Sequence, residues 1–110
     1  MALVLDNKVQ VKIGGKDYEL CLPIKCVVKA ERETVAKNLI VTITELENGP
    51  LCVEDTFTLF KYALIGGGVK ADQAEELFLK LLEESSLRQV MGLVLDTLGK
   101  SGVFGRRKKE

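Results

Sequence analysis

Cysteine offers the widest chemistry of any residue type in this chain, and three are present, at Cys21, Cys26 and Cys52. Thiolates and imidazoles are the usual zinc ligands, but these cysteines are irregularly spaced and the chain has no histidine. An odd number of cysteines also makes a poor disulfide framework. We therefore predict reduced, partly buried thiols and no metal site.

Paired carboxylates are the second candidate for chemistry, because two neighbouring carboxyl groups in different environments can divide acid and base roles. Four acidic pairs occur along the chain: Glu45/Glu47, Glu54/Asp55, Glu75/Glu76 and Glu83/Glu84. Each pair lies at the end of a predicted helix or opposite its apolar stripe, where a solvated face or a helix-dipole partner is the expected role. Ser85 and Ser86 have no histidine to act as their base. We therefore predict no catalytic residue and no enzyme.

A glycine-rich stretch and a basic tail are the two places where phosphate groups would bind. The stretch "IGGGVKAD", residues 65–72, follows a predicted helix and lacks the glycine-lysine-serine/threonine ending of a phosphate loop. The tail "GRRKKE", residues 105–110, has no aromatic neighbour that would stack on bases. Sixteen basic residues balance sixteen acidic ones over the chain. We expect no cofactor, no nucleic-acid partner, and a disordered basic tail over residues 105–110.

The apolar segments of the sequence indicate whether a membrane-spanning helix or a signal peptide is expected. No apolar run approaches the roughly 18 residues that a membrane-spanning helix needs. The opening "MALVLDNKVQ" lacks the basic start, the long apolar stretch and the cleavage site of a signal peptide. We therefore expect no membrane partner, and a protein that stays in the compartment where it is made.

Residues 8–22 predict a β-hairpin, because apolar and polar side chains alternate on both sides of the pair Gly14-Gly15. Glycine tolerates positive φ, which the tight two-residue turns of hairpins require. Such a turn sets three pairs across the hairpin: Ile13 with Lys16, Val11 with Tyr18, and Val9 with Leu20. One face of the hairpin is then apolar and the other charged. The segment "ALVL", residues 2–5, is a candidate third edge strand.

Helical spacing dominates the chain after Pro23, which suits a first helical position because its missing N–H is no loss there. The first helix is expected to run to about Val35. Three later helices are clear. The first ends at Gly66-Gly67-Gly68, and the second has Asp72 as its expected cap, with Glu75 three residues on. The third is expected to begin at Ser86, with Gln89 completing its capping box, and to end at Gly99 and Gly102. The apolar stripes of these four helices comprise, in chain order, Ile24, Val27 and Val28; Val53, Phe57, Phe60 and Leu64; Ala74, Leu77, Phe78, Leu81 and Leu82; and Leu87, Val90, Met91, Val94, Leu95 and Leu98.

Residues 39–46 are the ambiguous segment. The β-branched run 41–44 would suit a strand. Leu39, Ile43 and Leu46 also form one helical face, which Asn38 would cap. We expect the helix and keep the strand as the alternative.

These elements predict an α+β fold in which four to five helices pack against an N-terminal β-hairpin, as a single domain over residues 1–104. The expected core includes Val11, Tyr18, Phe57, Phe78, Leu81, Val94 and Leu98. Four apolar residues lie off the main stripes: Leu59, Tyr62, Ile65 and Leu93. We expect these four to bind a partner protein, or a second copy of the chain when no partner is present.

The order of these elements resembles the tail assembly chaperones of long-tailed bacteriophages and related gene transfer agents. The resemblance rests on "VQVKIGGKDYEL", "LPIKCVVKAERE", "VEDTFTLFKYALIGGG", "ADQAEELFLKLLEE" and "LRQVMGLVLDTLGK", and covers about residues 8–100. The stretch from Thr34 to Thr44 departs from the family pattern by having more β-branched residues.

The resemblance implies a non-enzymatic chaperone that binds the tape measure protein and helps tail tube protein polymerise around it. It also implies a location in the cytoplasm of the bacterial host or prophage-carrying cell, and absence from the mature virion. Two alternatives stay open: another phage structural part, such as a tail completion or head–tail joining protein, and a small nucleic-acid-binding regulator.

Overall fold

A computed structural model describes residues 8–48 and 53–101. The described chain forms two strands followed by five helices. They are β1 (Lys8–Ile13), β2 (Lys16–Cys21), α1 (Ile24–Glu33), α2 (Leu39–Asn48), α3 (Val53–Gly66), α4 (Ala71–Glu84) and α5 (Leu87–Ser101). The predicted α+β architecture, a hairpin packed against five helices, is therefore confirmed. The segment 2–5, Cys52, Gly102 and the tail 105–110 lie outside the described residues.

The hairpin has the predicted register. Val11 lies opposite Tyr18, Val9 opposite Leu20 and Ile13 opposite Lys16. Gly14 and Gly15 have φ values of 60° and 84°, so both turn residues occupy the region that only glycine enters without strain. The turn is also held from outside, because the Gly14 N–H donates to both carboxylate oxygens of Glu84, at 3.1 and 3.0 Å. The hairpin tip is thereby attached to the end of α4.

α3 is the central helix of the fold, since it contacts β2, α1, α4 and α5. Its side chains are accordingly buried on most of its circumference, as expected for a helix without a solvent face. The buried residues are Asp55, Thr56, Thr58, Leu59, Phe60, Ala63 and Leu64. Phe57 and Phe60 both stack against Phe78 of α4, with ring centroids 5.0 and 5.6 Å apart. Of the predicted stripe, only Val53 is exposed.

Most of the expected core is confirmed, with differences at its margin. Phe78, Leu81, Val94 and Leu98 are buried. Val11, Tyr18 and Phe57 are only partly buried and pack against the edge of the core. Val11 and Tyr18 lie at the margin because a two-stranded sheet has few neighbours to cover its side chains.

Of the three residues predicted to form the apolar stripe of α1, only Val27 is buried. Cys26, Val27 and Ala30 are buried against the core, whereas Ile24 and Val28 are exposed. The small side chains of Cys26 and Ala30 let α1 approach α3, a packing advantage that hydrophobicity alone does not indicate. Pro23 is the N-cap and not the first helical residue, and the helix ends at Glu33, two residues before Val35.

The caps of the other helices were predicted with mixed success. The Asn38 side chain accepts the Val41 N–H at 3.0 Å, and Ser86 Oγ accepts the Gln89 N–H at 3.2 Å, as expected for N-caps. Asp72 is not a cap, because α4 begins at Ala71 and Lys70 holds the cap position. Gly99 does not end α5, which continues to Ser101. The segment 39–46 is helical, so the strand alternative is wrong.

Three consecutive glycines end α3, and each has its own physical reason. A Cβ atom built on Gly66 would lie 2.0 Å from the carbonyl oxygen of Cys21, and one on Gly67 would lie 1.9 Å from that of Glu19. Gly68 has a φ of 106° and allows Val69 N–H to return to the Leu64 carbonyl at 2.9 Å. The first two glycines therefore let the end of α3 reach the backbone of β2, and the third closes the helix.

The close approach of α3 to β2 predicts that Gly67→Ala lowers the free energy of unfolding by about 2–3 kcal/mol, because backbone must move to admit the methyl group. Gly92→Ala is the matched control, since a Cβ there meets nothing within 4 Å in α5. It should raise stability by about 0.5–1 kcal/mol through helix propensity. Urea denaturation of both variants measures the difference. Equal stabilities would contradict the backbone contact.

Thr42 on α2 is a buried residue whose hydroxyl has no hydrogen-bond partner within the described residues. Leaving a buried hydroxyl unpaired costs about 1–3 kcal/mol. Thr42→Val should therefore raise the free energy of unfolding by about 1 kcal/mol, because it removes the hydroxyl and keeps the shape.

Thr97→Val is the control for Thr42→Val. Thr97 is equally buried, but its hydroxyl donates to the Leu93 carbonyl at 2.8 Å. Removing this paired hydroxyl should give no gain in stability. If thermal and urea denaturation show the same change for both variants, Thr42 is not an uncompensated polar group.

Candidate partner-binding surface

The four predicted partner-binding residues occupy two helices, α3 and α5. Leu59 is fully buried in the core, so the expectation that it lies off the core stripe is wrong; α3 has core contacts on most of its sides. Tyr62, Ile65 and Leu93 are partly buried. Tyr62 and Leu93 pack against the core at its margin. Their use as a partner surface stays a prediction, and Leu59 would not reach a partner unless α3 moved.

Tyr62 belongs to a polar cluster that links α3 to the end of α1. Its hydroxyl donates a hydrogen bond to one carboxylate oxygen of Glu33. Lys61 Nζ lies 3.0 Å from the other oxygen of Glu33 and 4.9 Å from the centroid of the Tyr62 ring. Glu33 thus accepts a hydrogen bond from Tyr62 and forms an ion pair with Lys61. These polar contacts hold the exposed end of α1 against α3.

These contacts shift the titration of both acidic groups. The hydrogen bond from Tyr62 lowers the pKa of Glu33 below 4.5, with Lys61 adding to the effect against the opposing effect of burial. The same hydrogen bond raises the pKa of Tyr62 from 10.0 to about 12. The cluster is therefore intact at neutral pH, with Glu33 ionised and Tyr62 protonated.

Sequence reasoning missed an apolar groove between α2 and α5. Its first section has a volume of about 390 Å³ and is lined by Ile40, Ile43, Thr44, Glu47, Leu95, Leu98 and Gly99. A second section of about 420 Å³ shares Glu47 and Leu95 and extends the groove past Met91 and Gly92 to Arg88. Lining residues recur at helical spacing on both walls, so the groove follows the two helix axes.

The α2 wall of this groove displays apolar side chains to solvent. Ile40 is 60% exposed, and the neighbouring Val41 is also exposed. Leu39, Thr42 and Leu46 are the buried residues of α2, and Leu46 also lines the second section of the groove. The excess of β-branched residues in 39–46, which made the segment resemble a strand, was the sequence signal for this second apolar face. An elongated apolar groove of this kind suits an α-helix with an apolar stripe.

Cys21 and Cys26 are free, buried thiols, and burial raises the pKa of Cys21. Across residues 8–48 and 53–101, no three histidine, cysteine, aspartate or glutamate side chains are placed to hold a metal ion. Within the same residues, none of the helices combines the length and apolarity required to span a bilayer.

Comparison with protein families identifies the relatives of this chain. A family profile described as "Phage tail tube protein, GTA-gp10" matches residues 6–101, which is most of the 110 residues. The chain belongs to this family. No curated protein and no solved structure matches it.

Membership of the GTA-gp10 family makes this a phage tail-related protein with a structural role. The predicted relation to phage tails is thereby confirmed at that level. The family description names a tail tube protein and not a tail assembly chaperone. The resemblance to chaperones was thus more specific than the family match, and the chaperone role has to be argued from the surface of the molecule.

Tyr62→Phe tests the polar cluster in this GTA-gp10 family member. Both Tyr62 and Glu33 are partly exposed, so the lost hydrogen bond should cost only about 1 kcal/mol at pH 7. Folding raises the Tyr62 pKa from 10.0 to about 12. The Tyr62 hydrogen bond therefore contributes fully to the free energy of unfolding below pH 10, and this contribution is lost as the pH rises through 12. The stability difference between wild type and variant should therefore disappear across that interval.

Acid unfolding provides the second arm of this test. Because the pKa of Glu33 is lowered in the folded state, ionised Glu33 contributes to the free energy of unfolding above pH 4.5, and this contribution is lost as the pH falls further. Tyr62→Phe removes the main cause of that shift, so the variant should lose less stability than wild type on acidification. A difference that stays constant from acid to alkaline pH would show that the two groups are not coupled.

Proposed function

We propose that the protein is a tail assembly chaperone that binds helical segments of the tape measure protein and assists polymerisation of the tail tube. It acts in the cytoplasm of the bacterial host cell and is absent from the mature virion. The observation that carries the proposal is the α2/α5 groove. Its apolar walls include an isoleucine that is largely in water. Exposed apolar surface of this kind is characteristic of sites that bind other proteins.

The shape of the groove supports a helical ligand. The apolar section runs from Ile40 to Glu47 on α2, about 10 Å along the axis at 1.5 Å per residue. This length accommodates two turns of a helix, which would place apolar residues at i, i+3, i+4 and i+7 against the walls. A tape measure segment that exposes such a stripe before the tube encloses it would gain from this cover.

The partly buried residues Tyr62, Ile65 and Leu93 remain candidates for a second contact with the same partners. They lie on α3 and α5, and Tyr62 and Leu93 pack at the margin of the core. Their smaller exposed area makes them secondary to the groove. Contact with the tail tube protein is part of this proposal, because a chaperone that covers the tape measure must give it up as tube subunits assemble.

A second candidate function is a structural subunit of the tail tube. The description of the family favours it. The fold gives it less support, because the described residues contain one two-stranded sheet with helices against it. A tube wall built from this chain would therefore have to rely on helix contacts between copies.

Composition of purified particles separates the two functions. An affinity-tagged copy expressed from the phage or prophage genome should co-purify with the tape measure protein from induced cells. It should be missing from the mass spectrum of purified particles. Deletion of the gene should yield particles without tails. Many copies in purified tails would instead identify the protein as a tube subunit and overturn the chaperone proposal.

The groove can be tested within the same experiment. Ile40→Asp places a carboxylate in the apolar section and should abolish co-purification of the tape measure protein. Leu79→Asp on α4 is the matched control, because Leu79 is 52% exposed and does not line the groove. It should leave co-purification unchanged. Equal recovery with both variants would move the binding site to the Tyr62, Ile65 and Leu93 surface.

A further inference from the structure

The outer face of α1 is an apolar ridge with basic neighbours. Ile24 and Val28 are 55% and 42% exposed and lie one turn apart. Lys25, Lys29 and Arg32 are also exposed and lie on the same side of the helix, away from the face that packs on α3. This surface is called the α1 ridge below.

The α2/α5 groove has the complementary character. Its apolar section has one charged residue on its lining, Glu47, and the exposed Asp96 directly follows Leu95 on the α5 wall. The basic lining residue Arg88 lies at the far end, in the second section. The groove is therefore apolar with one acidic side chain, Glu47, on its apolar section, whereas the α1 ridge is apolar with basic groups.

The charges on both surfaces are unpaired within the described residues. None of Lys25, Lys29 and Arg32 makes an ion pair there, and neither do Glu47 and Asp96. The two surfaces also agree in length. From Ile24 to Arg32 the ridge spans about 12 Å, close to the 10 Å or so of the apolar groove section. Length, polarity and charge thus match between two surfaces of the same chain.

We propose that, in the absence of another partner, the α1 ridge of one copy lies in the α2/α5 groove of a second copy. Ile24 and Val28 would enter between the apolar walls, and the basic side chains would reach Glu47. The contact is heterologous, because it joins two different surfaces, so a dimer joined by one such contact still offers one free groove and one free ridge. Assembly therefore continues beyond the dimer, as a ring or an open chain.

Symmetric pairings are disfavoured by the same charges. A ridge-to-ridge dimer would bring two sets of lysine and arginine side chains together. A groove-to-groove dimer would place Glu47 near its own counterpart and would leave both concave sections unfilled. The head-to-tail contact is the arrangement that pairs convex with concave and basic with acidic. It does not depend on the chaperone proposal, since it requires only copies of this chain.

Sedimentation of two complementary variants tests the contact. The double variant Ile24→Asp with Val28→Asp removes the ridge, and Ile40→Asp removes the groove; all three positions are exposed, so the fold should be retained, as circular dichroism can verify. Wild type should form species larger than a dimer as its concentration rises. Each variant alone should remain monomeric, and Leu79→Asp should assemble like wild type.

Mixing the two variants gives the decisive result. The ridge variant still has an intact groove and the groove variant an intact ridge, so an equimolar mixture should form a heterodimer that cannot grow further. A wild type that stays monomeric at about 1 mM, where contacts of even 4 kcal/mol would be populated, overturns the proposal. So does a mixture that stays monomeric, or variants that assemble like wild type.

Charge exchange tests the polar part of the contact. Glu47→Lys should weaken self-association by about tenfold, in line with reversal of one charge at an interface. Lys29→Glu should weaken it similarly, and an equimolar mixture of these two variants should associate more tightly than either alone. If neither change alters association, the acidic and basic groups do not face each other and the proposed orientation is wrong.

Discussion

The fold depends on a contact between backbones, where the end of α3 meets the inner edge of the hairpin. Gly66 and Gly67 have no side chains to separate the helix from the carbonyl groups of Cys21 and Glu19. A two-stranded hairpin is marginal in water on its own, so it needs another element against its apolar face. The missing side chains bring α3 close enough to supply that cover, and α3 then becomes the element around which the other helices pack.

The central position of α3 explains why a polar side chain is buried at its start. Asp55 accepts the Val35 N–H at 3.0 Å and so fixes the connection that leaves α1. Glu31, near the end of α1, accepts the Leu39 N–H at 2.9 Å and so orients the first turn of α2. Two carboxylates thereby satisfy backbone donors on the path between the helices. The acidic residues that suggested acid–base chemistry include a structural one, Asp55.

Local patterns predicted the elements well, and non-local packing decided the rest. The hairpin register followed from strict alternation around Gly14-Gly15, because one register alone places Val9, Val11 and Ile13 on a common face. Helix faces were less predictable. Ile24 and Val28 are more apolar than Cys26 and Ala30, yet the smaller pair is buried because α1 packs close to α3. The groove needs two helices 40 residues apart in sequence to meet, and no local pattern predicts that.

The two walls of the groove differ in how extensively they pack against the rest of the fold, and this difference affects how the groove would bind a helix. α5 contacts α3, α4 and the hairpin, whereas α2 packs more sparsely than any other described helix. α2 also contains Thr42, whose buried hydroxyl has no hydrogen-bond partner in the part of the chain that the structure describes. Elements with few buried contacts open at lower free energy than the core. A helix in the groove would contact both walls and restrain α2, and the cost of ordering α2 would make the binding free energy less favourable. The same flexibility would let one groove accept different helices, because α2 can adjust to each while α5 stays in place.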